Sequence, residues 1–331
     1  MSDTLSPAPA PAAARKRVLV LGATGTAGRA AARALAVAGH EVVALVRRVD
    51  PDLPGHVEQR AGDVTDPDAV ARDGLRGETF DAVLSCLTSR SGGPKDAWAL
   101  DYQAQSDALA AARAGNVGQF ILLSAICVQK PMLEFQRAKL AFEAELIASG
   151  LTWSIVRPTA FFKSLSGQLD RVKAGKPFLV FGDGTQTACK PISDGDLGRY
   201  LAACLTDPDL QNRVLPVGGP GPAITPLDQA AMLSDLMGRD VAVRRVPVAL
   251  MSAIIAVSSG LGRVSAGWAE RAEFARIARY YATESMLVWD EGAGRYDADA
   301  TPEFGTETLA QHYARALAGD VAVDLREHAV F

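Results

Sequence analysis

Three glycines spaced three apart stand in the string Val18-Leu-Val-Leu-Gly22-Ala-Thr-Gly25-Thr-Ala-Gly28, between the apolar run Arg17 to Leu21 and the alanine-rich stretch Ala30 to Ala38. The run suits a buried strand, and alanine suits a helix packed closely on a sheet. A glycine turn in that context leaves few folds open. Gly22 permits a tight turn, Gly25 lets another group approach the backbone, and Gly28 lets helix and strand lie close together. The first N–H groups of such a helix attract phosphate. The turn, with Thr24, Thr26 and Ala27 between its glycines, is therefore read as the pyrophosphate site of a dinucleotide. A turn that serves packing alone is the competing reading.

The same alternation continues down the chain. Apolar runs at Glu41 to Val46, before Gly62-Asp63-Val64, and at Ala82 to Ser85, Gln119 to Ser124 and Thr152 to Val156 are separated by helical patterns at 66–74, 101–114 and 134–149. Strands that alternate with helices predict an α/β fold, a doubly wound parallel sheet of the NAD(P)-binding Rossmann kind. After Pro158 the regularity fails, apart from a return to strand at Arg213 to Val217. The expected organisation is a disordered tail over 1–15, a cofactor-binding core over 16–159, and a smaller substrate-binding region over 160–331 that returns to the core near 182–219. In an open α/β sheet the ligand lies at the carboxyl ends of the strands, so the later segments are expected to form a lid there.

Arg47 and Arg48 follow the second run, where an enzyme that prefers NAD places an acidic residue for the ribose hydroxyls. Two guanidiniums favour the 2′-phosphate of NADPH instead. A solvated basic pair at a strand end is the alternative. Asp63 and Val64 stand where the adenine would be contacted, although Asp63 also suits a plain turn. Ser85, which ends the fourth run at the same edge, is assigned to the cofactor as well.

With 34 basic and 38 acidic residues the net charge is -4, which offers no bulk attraction to nucleic acid and leaves a small molecule as the expected partner. Cys86, Cys127, Cys189 and Cys204 have neither metal-ligand spacing nor the density of a disulfide framework, so a reducing, cytoplasmic setting is expected. His40, His56, His312 and His328 are too scattered for a metal site or a triad, and no protein-bound metal is expected. The start of the chain lacks the basic and apolar segments of a secretory signal. The longest apolar stretch, Val246 to Leu261, is broken by Pro247 and Ser258-Ser-Gly260 and is shorter than the roughly 20 residues of a spanning helix. The helix expected around Leu250 to Val257, with Trp268 and Phe274 beyond it, would give core packing, an apolar cover for a hydrophobic ligand, or a peripheral contact with another subunit or a membrane.

Gly22-Ala-Thr-Gly-Thr-Ala-Gly28 with Asp63-Val64 resembles the extended or atypical branch of the short-chain dehydrogenase/reductase superfamily over residues 16–219. Ser124 and Lys139 match positions that this superfamily uses at the substrate and the nicotinamide ribose. Its catalytic tyrosine, four residues before the lysine, is here Phe135. Phenylalanine has no proton to give, so carbonyl reduction loses its acid, whereas hydride transfer to an activated carbon–carbon double bond stays open. Arg157-Pro158-Thr159 is assigned to the nicotinamide end by the same resemblance.

Longer strings carry a more specific resemblance. Leu123-Ser-Ala-Ile-Cys127-Val-Gln-Lys-Pro131 and Leu133-Glu-Phe-Gln-Arg-Ala-Lys139 resemble the divinyl chlorophyllide 8-vinyl-reductases of chlorophyll and bacteriochlorophyll synthesis. So do Val156-Arg-Pro-Thr-Ala-Phe-Phe-Lys-Ser-Leu-Ser-Gly167, Phe181-Gly-Asp-Gly184 and Ala188-Cys-Lys-Pro-Ile-Ser-Asp194. The resemblance implies NADPH-dependent reduction of the 8-vinyl group of a magnesium tetrapyrrole, with the magnesium arriving on the substrate. The site then includes Lys139, Phe135, Ser124 and Cys127 for the chemistry, and Phe161, Phe162, Cys189 and Lys190 for the macrocycle. Buried packing is the competing role for both cysteines and both phenylalanines. Two other functions remain: an isoflavone-reductase-like alkene or ether reductase, and a redox sensor or assembly protein that binds NADP(H) without turnover. Oligomeric state, and the choice of chlorophyllide over protochlorophyllide, are left open.

Overall fold

The computed structural model describes residues 14–90, 92–249 and 266–320, together with Ser252 and Ile255. The expected tail is therefore seen only at its last residues, and most of the expected helix from Leu250 to Val257 lies outside the described residues, as does the side chain of Trp268.

In chain order the strands are β1 (Arg17–Leu21), β2 (Glu41–Val46), β3 (Glu58–Ala61), β4 (Ala82–Ser85), β5 (Gln119–Leu123), β6 (Thr152–Pro158), β7 (Phe178–Phe181), β8 (Arg213–Val217) and β9 (Val243–Val246), followed by β10 (Val288–Asp290) and β11 (Arg295–Asp297). Seven of them form one parallel sheet in the order β3-β2-β1-β4-β5-β6-β8. The order reverses between β1 and β4, which opens a crevice at their carboxyl ends. Because both faces of the sheet are covered, its central strands are continuous apolar runs rather than alternating ones. Period-two geometry then divides the side chains between two cores. Val18, Val20, Val42 and Ala44 lie in one core, and Leu19, Leu21, Val43 and Leu45 lie in the other with Phe120 and Phe142.

The longer helices are α1 (Thr26–Val37), α2 (Ala104–Ala114), α3 (Glu134–Ile147), α4 (Asp194–Ala203), α5 (Pro226–Met237), α6 (Ala266–Thr283) and α7 (Leu309–Ala318). On the first core's side of the sheet α1 packs against α4, and the carboxyl half of β6 takes β8 as its neighbour in the register Ser154↔Arg213 to Pro158↔Val217. The return to the core is thus made by one helix and one strand. Two of the expected helices differ in winding. The segment expected at 66–74 is a π-helical turn, Val70–Leu75, and the helix expected from 101 begins with a π-helical turn, Trp98–Gln103. Such turns re-aim the side chains they carry, and the second carries the buried Asp101.

The region after Pro158 has more regular structure than its sequence predicts. β7 pairs in parallel with β9, β10 and β11 form an antiparallel hairpin, and Phe162, Leu169, Phe178, Leu233 and Tyr313 join in a separate core. Among the described residues no helix is long and apolar enough to cross a membrane.

Candidate active site

The glycine turn is held by sterics within the chain at two of its three glycines. Gly22 has a φ of +74°, and a Cβ there would lie 2.8 Å from the backbone carbonyl of Cys86. At Gly28 a Cβ would lie 2.1 Å from the Gly22 carbonyl oxygen, so only glycine lets α1 approach β1 this closely. Gly25 is different. Its φ is -77°, and an added Cβ would meet only the Gly22 oxygen, at 3.5 Å. Among the described residues nothing demands glycine at 25, which fits the approach of an external group to this backbone. Gly25 also caps α1 with no side-chain acceptor, so the first N–H groups of the helix are left to an anion. Thr24 is exposed, Ala27 packs on the core, and Thr26 Oγ1 accepts a hydrogen bond from Lys163 Nζ at 3.0 Å. The turn therefore fits a bound pyrophosphate.

Arg47 and Arg48 emerge at the carboxyl end of β2, both exposed, and among the described residues neither forms an ion pair. The nearby acid, Asp50, is not available to a ribose. It is buried and bonded to Arg29 at 2.6 Å, and although burial pushes its carboxyl up, the hydrogen bond from Arg29 contributes to holding it below its ordinary range. Asp63 is exposed, but its Oδ1 accepts from the Thr65 amide at 3.0 Å and the Thr65 hydroxyl at 2.9 Å, making it a turn-forming residue; Val64 packs on the second core. Ser85 is fully buried and lies behind the stretch Cys86 to Ser89, which faces the open space instead.

That open space is a cavity of about 440 Å³ at the carboxyl ends of β4, β5 and β6, within the usual range for a small-molecule site. Lys139, Phe135, Ser124, Cys127, Pro158, Thr159, Phe161 and Cys189 line it together, although they span 66 positions from 124 to 189. Lys139 of α3 is 7% exposed, and its Nζ is held 2.8 Å from Oδ1 of Asp101, itself 1% exposed. Asp101 also accepts from the Thr88 hydroxyl at 2.9 Å and the Ser89 hydroxyl at 2.6 Å. A buried ammonium needs such a partner. Phe135, one turn earlier on α3, adds an apolar wall where a hydroxyl would otherwise stand.

Five further assigned side chains are committed elsewhere. Ser124 lines the cavity, but its hydroxyl donates to Glu143 Oε1 at 2.5 Å. Arg157 pairs with the same buried Glu143 through Nε, at 3.2 Å, and Nη2, and does not line the cavity. The strand pleat explains this, since Pro158 beside it points the other way. Lys190 is likewise turned away, toward Glu303 at 2.7 Å and the Thr301 carbonyl at 3.3 Å, because alternation sends its neighbour Cys189 to the cavity. Phe162 is 2% exposed and belongs to the third core, with its ring 5.3 Å from that of His312, so only Phe161 of the pair is offered to a ligand. Thr159 donates its hydroxyl to the Lys190 carbonyl. Burial pushes the thiols of Cys86 and Cys189 up to about 12, opposed at Cys86 by the Lys139 charge, and raises that of Cys127.

Three further residues have no signal in the sequence reading. Asp101 falls within a stretch read as ordinary helix, Lys163 lies inside a quoted string without a role, and Tyr281 of α6 reaches the cavity from the far end of the chain. Phe274 of the same helix lines the cavity and is 47% exposed, placing it at the rim. Among the described residues no group of three His, Cys, Asp or Glu side chains is placed to hold a metal.

An NAD(P)H-binding family matches residues 22–208. The chain is 46% identical over 329 residues to a protein of Zea mays named divinyl chlorophyllide a 8-vinyl-reductase, chloroplastic, covering 94% of this chain and 82% of the relative. A protein of the same name from Arabidopsis thaliana is 44% identical over 315 residues, covering 89% and 75%. Among solved structures, a ternary complex of leucoanthocyanidin reductase from Vitis vinifera superposes with a TM-score of 0.67 at 17% identity, covering 91% of this chain and 99% of that one, and so shares the fold. A glycine turn open at Gly25, a cavity that keeps Lys139 beside an apolar residue 135, and identities of this size over most of both chains lead to one assignment: the chain belongs to the NAD(P)H-binding family of divinyl chlorophyllide a 8-vinyl-reductases.

Proposed function

We propose that this chain reduces the 8-vinyl group of a divinyl chlorophyllide, a magnesium tetrapyrrole, to ethyl with NADPH. The observation that carries the reading is the cavity itself, in which Lys139 is kept and position 135 is apolar. Relatives named 8-vinyl-reductases favour it over an alkene or ether reductase of phenolics and over a sensor without turnover.

The bound cofactor supplies a hydride. The chain's own residues bind, orient and exclude water. The open turn at Gly25 and the start of α1 take the pyrophosphate, Arg47 and Arg48 take the 2′-phosphate and so select NADPH, and Lys139, fixed by Asp101, holds the nicotinamide ribose hydroxyls. Phe135 and Phe161 give apolar surface against a flat macrocycle and keep water from the reacting carbons. A vinyl conjugated to the ring accepts hydride because the macrocycle spreads the resulting charge, so the strong acid that a carbonyl needs is not required at position 135. In this reading 16–159 serves the cofactor and 160–331 serves the substrate, with Phe274 at the rim as an apolar edge for pigment entry and for a peripheral membrane contact. The test is incubation of the purified protein with NADPH and divinyl chlorophyllide. A small blue shift of the Soret band is expected, and the absence of a shift with bound cofactor would overturn the reading.

A further inference from the structure

Lys163 lies in the region read as serving the substrate, and the reading above gives it no task. It belongs to the short helical turn Phe162–Leu165, of which Ser164 and Leu165 line the cavity together with the preceding Phe161. Lys163 leaves that space. Its half-buried side chain crosses to the glycine turn, 137 positions earlier, where Nζ donates to Thr26 Oγ1 at 3.0 Å. Thr26 is the first residue of α1 and follows Gly25 directly, so the ammonium stands beside a helix start that has no side-chain cap.

We propose that Lys163 is a ligand of the cofactor pyrophosphate, brought to the glycine turn by the substrate region. The proposal deepens the NADPH reading and rests on its placement of the pyrophosphate at Gly25. The diphosphate bridge of NADPH carries two negative charges. Against them the backbone N–H groups of α1 offer only partial charges, whereas a lysine ammonium adds a full charge and further donors. The anion is then held between α1 and the segment 160–165, and the backbone that carries Phe161 into the cavity is tied to the bound cofactor.

A purely structural role accounts poorly for this lysine. Fixing its four-carbon stem costs rotamer freedom, and one bond to a neutral hydroxyl does little more than offset that cost. Asp194, an acid within its electrostatic reach at the start of α4, has its carboxyl pushed up to about 6 by burial against the pull of Lys163. Burial thus disfavours the anionic form of that partner. A pyrophosphate keeps its charge throughout the neutral range, and the ammonium already stands at the turn that would receive it.

The experiment compares Lys163→Met and Lys163→Arg with the wild type in the full chain. In Lys163→Met the NADPH Kd, read from cofactor fluorescence, is expected to rise about 10- to 100-fold, as for loss of a hydrogen bond from a charged group. Lys163→Arg keeps the charge and is expected to lose less. Phosphorus NMR of saturating NADP⁺ supplies a readout that a structural role would not move: the pyrophosphate resonances should shift in Lys163→Met while that of the 2′-phosphate stays in place. An unchanged Kd, equal losses in the two variants, or unshifted pyrophosphate resonances overturns the proposal. If neither variant folds, labelling of wild-type lysines with acetic anhydride, followed by mass spectrometry, decides. NADP⁺ should protect Lys163, and labelling at the rate of the cofactor-free protein overturns the proposal. A wild-type NADPH Kd in Gly25→Ala would instead sink the placement of the pyrophosphate at the turn. None of these readouts needs turnover, so a failure of the vinyl-reductase reading would leave them standing.

Discussion

The cofactor turn and the wall of the cavity beside it lie within one crevice, yet they are built in opposite ways. The turn is local backbone: Gly22, Gly25 and Gly28 act through a dihedral angle, an open approach and a close contact, all within seven residues. The wall is made of side chains from distant parts of the chain. Tyr280 bonds Cys127 across 153 positions, Lys130 pairs with Glu284 at 2.5 Å across 154, and the Trp289 amide donates to Gln129 Oε1 at 2.8 Å across 160. A motif can specify the first kind of site, because its geometry is short-range. Only the completed fold specifies the second.

That contrast is open to attack, and the largest effect should come from the turn. Gly28→Ala puts a methyl group 2.1 Å from the Gly22 oxygen, and a loss of about 3 kcal/mol, the upper end of the usual overpacking range, is expected in denaturant unfolding. Gly25→Ala should unfold like the wild type while its NADPH Kd rises more than about tenfold, or 1.4 kcal/mol. Equal stability losses in the two variants would erase the distinction between a glycine the fold needs and one the ligand needs.

A smaller effect is expected where the later region meets the turn. Burial pushes the Asp194 carboxyl up to about 6, against the pull of Lys163, the residue that also bonds Thr26. The folded protein thus holds this proton more tightly than the unfolded chain, whose value is about 4. The penalty is absent below about 4, grows as pH rises through about 6 and is complete above it. Asp194→Asn should accordingly stabilise the protein by between roughly 2 and 3 kcal/mol at pH 8, two units at about 1.4 kcal/mol each, and by nothing measurable at about pH 3. Stabilisation of the same size at both pH values would contradict this.

The smallest effect belongs to the exposed pair. Arg47→Ala with Arg48→Ala should lower the preference for NADPH over NADH about tenfold, with the unfolding midpoint unchanged. An intact preference would return the pair to the role of a solvated strand end.

Legibility in the sequence follows the same division. Arg17–Leu21, Glu41–Val46 and Ala82–Ser85 are strands at their expected bounds, because a strand covered on both faces writes a continuous apolar run, and Arg213–Val217 is one at its expected bounds at the sheet edge, where its first two residues are exposed. β7 and β9 were not legible. Val243–Val246 is half arginine, and its pairing with Phe178–Phe181 depends on a neighbour 65 positions away. In the cavity, Lys139 and Phe135 are assigned through a resemblance carried by Leu133-Glu-Phe-Gln-Arg-Ala-Lys139, and their spacing of four on α3 brings both side chains to the same space. Asp101 could not, since a π-helical turn rather than regular helix presents it to Lys139. Arg157 and Lys190 show the limit of reading a string as a unit: in extended chain adjacent side chains point to opposite faces, and only Pro158 and Cys189 face the ligand space.

The central claim is that a hydride from the nicotinamide reaches the vinyl carbon in this cavity. The most direct measurement is mass spectrometry of the product formed from divinyl chlorophyllide and C4-deuterated NADPH in ordinary water. The account predicts an 8-ethyl product carrying one deuterium on its terminal carbon. An unlabelled ethyl product would contradict it, as would deuterium at any other carbon.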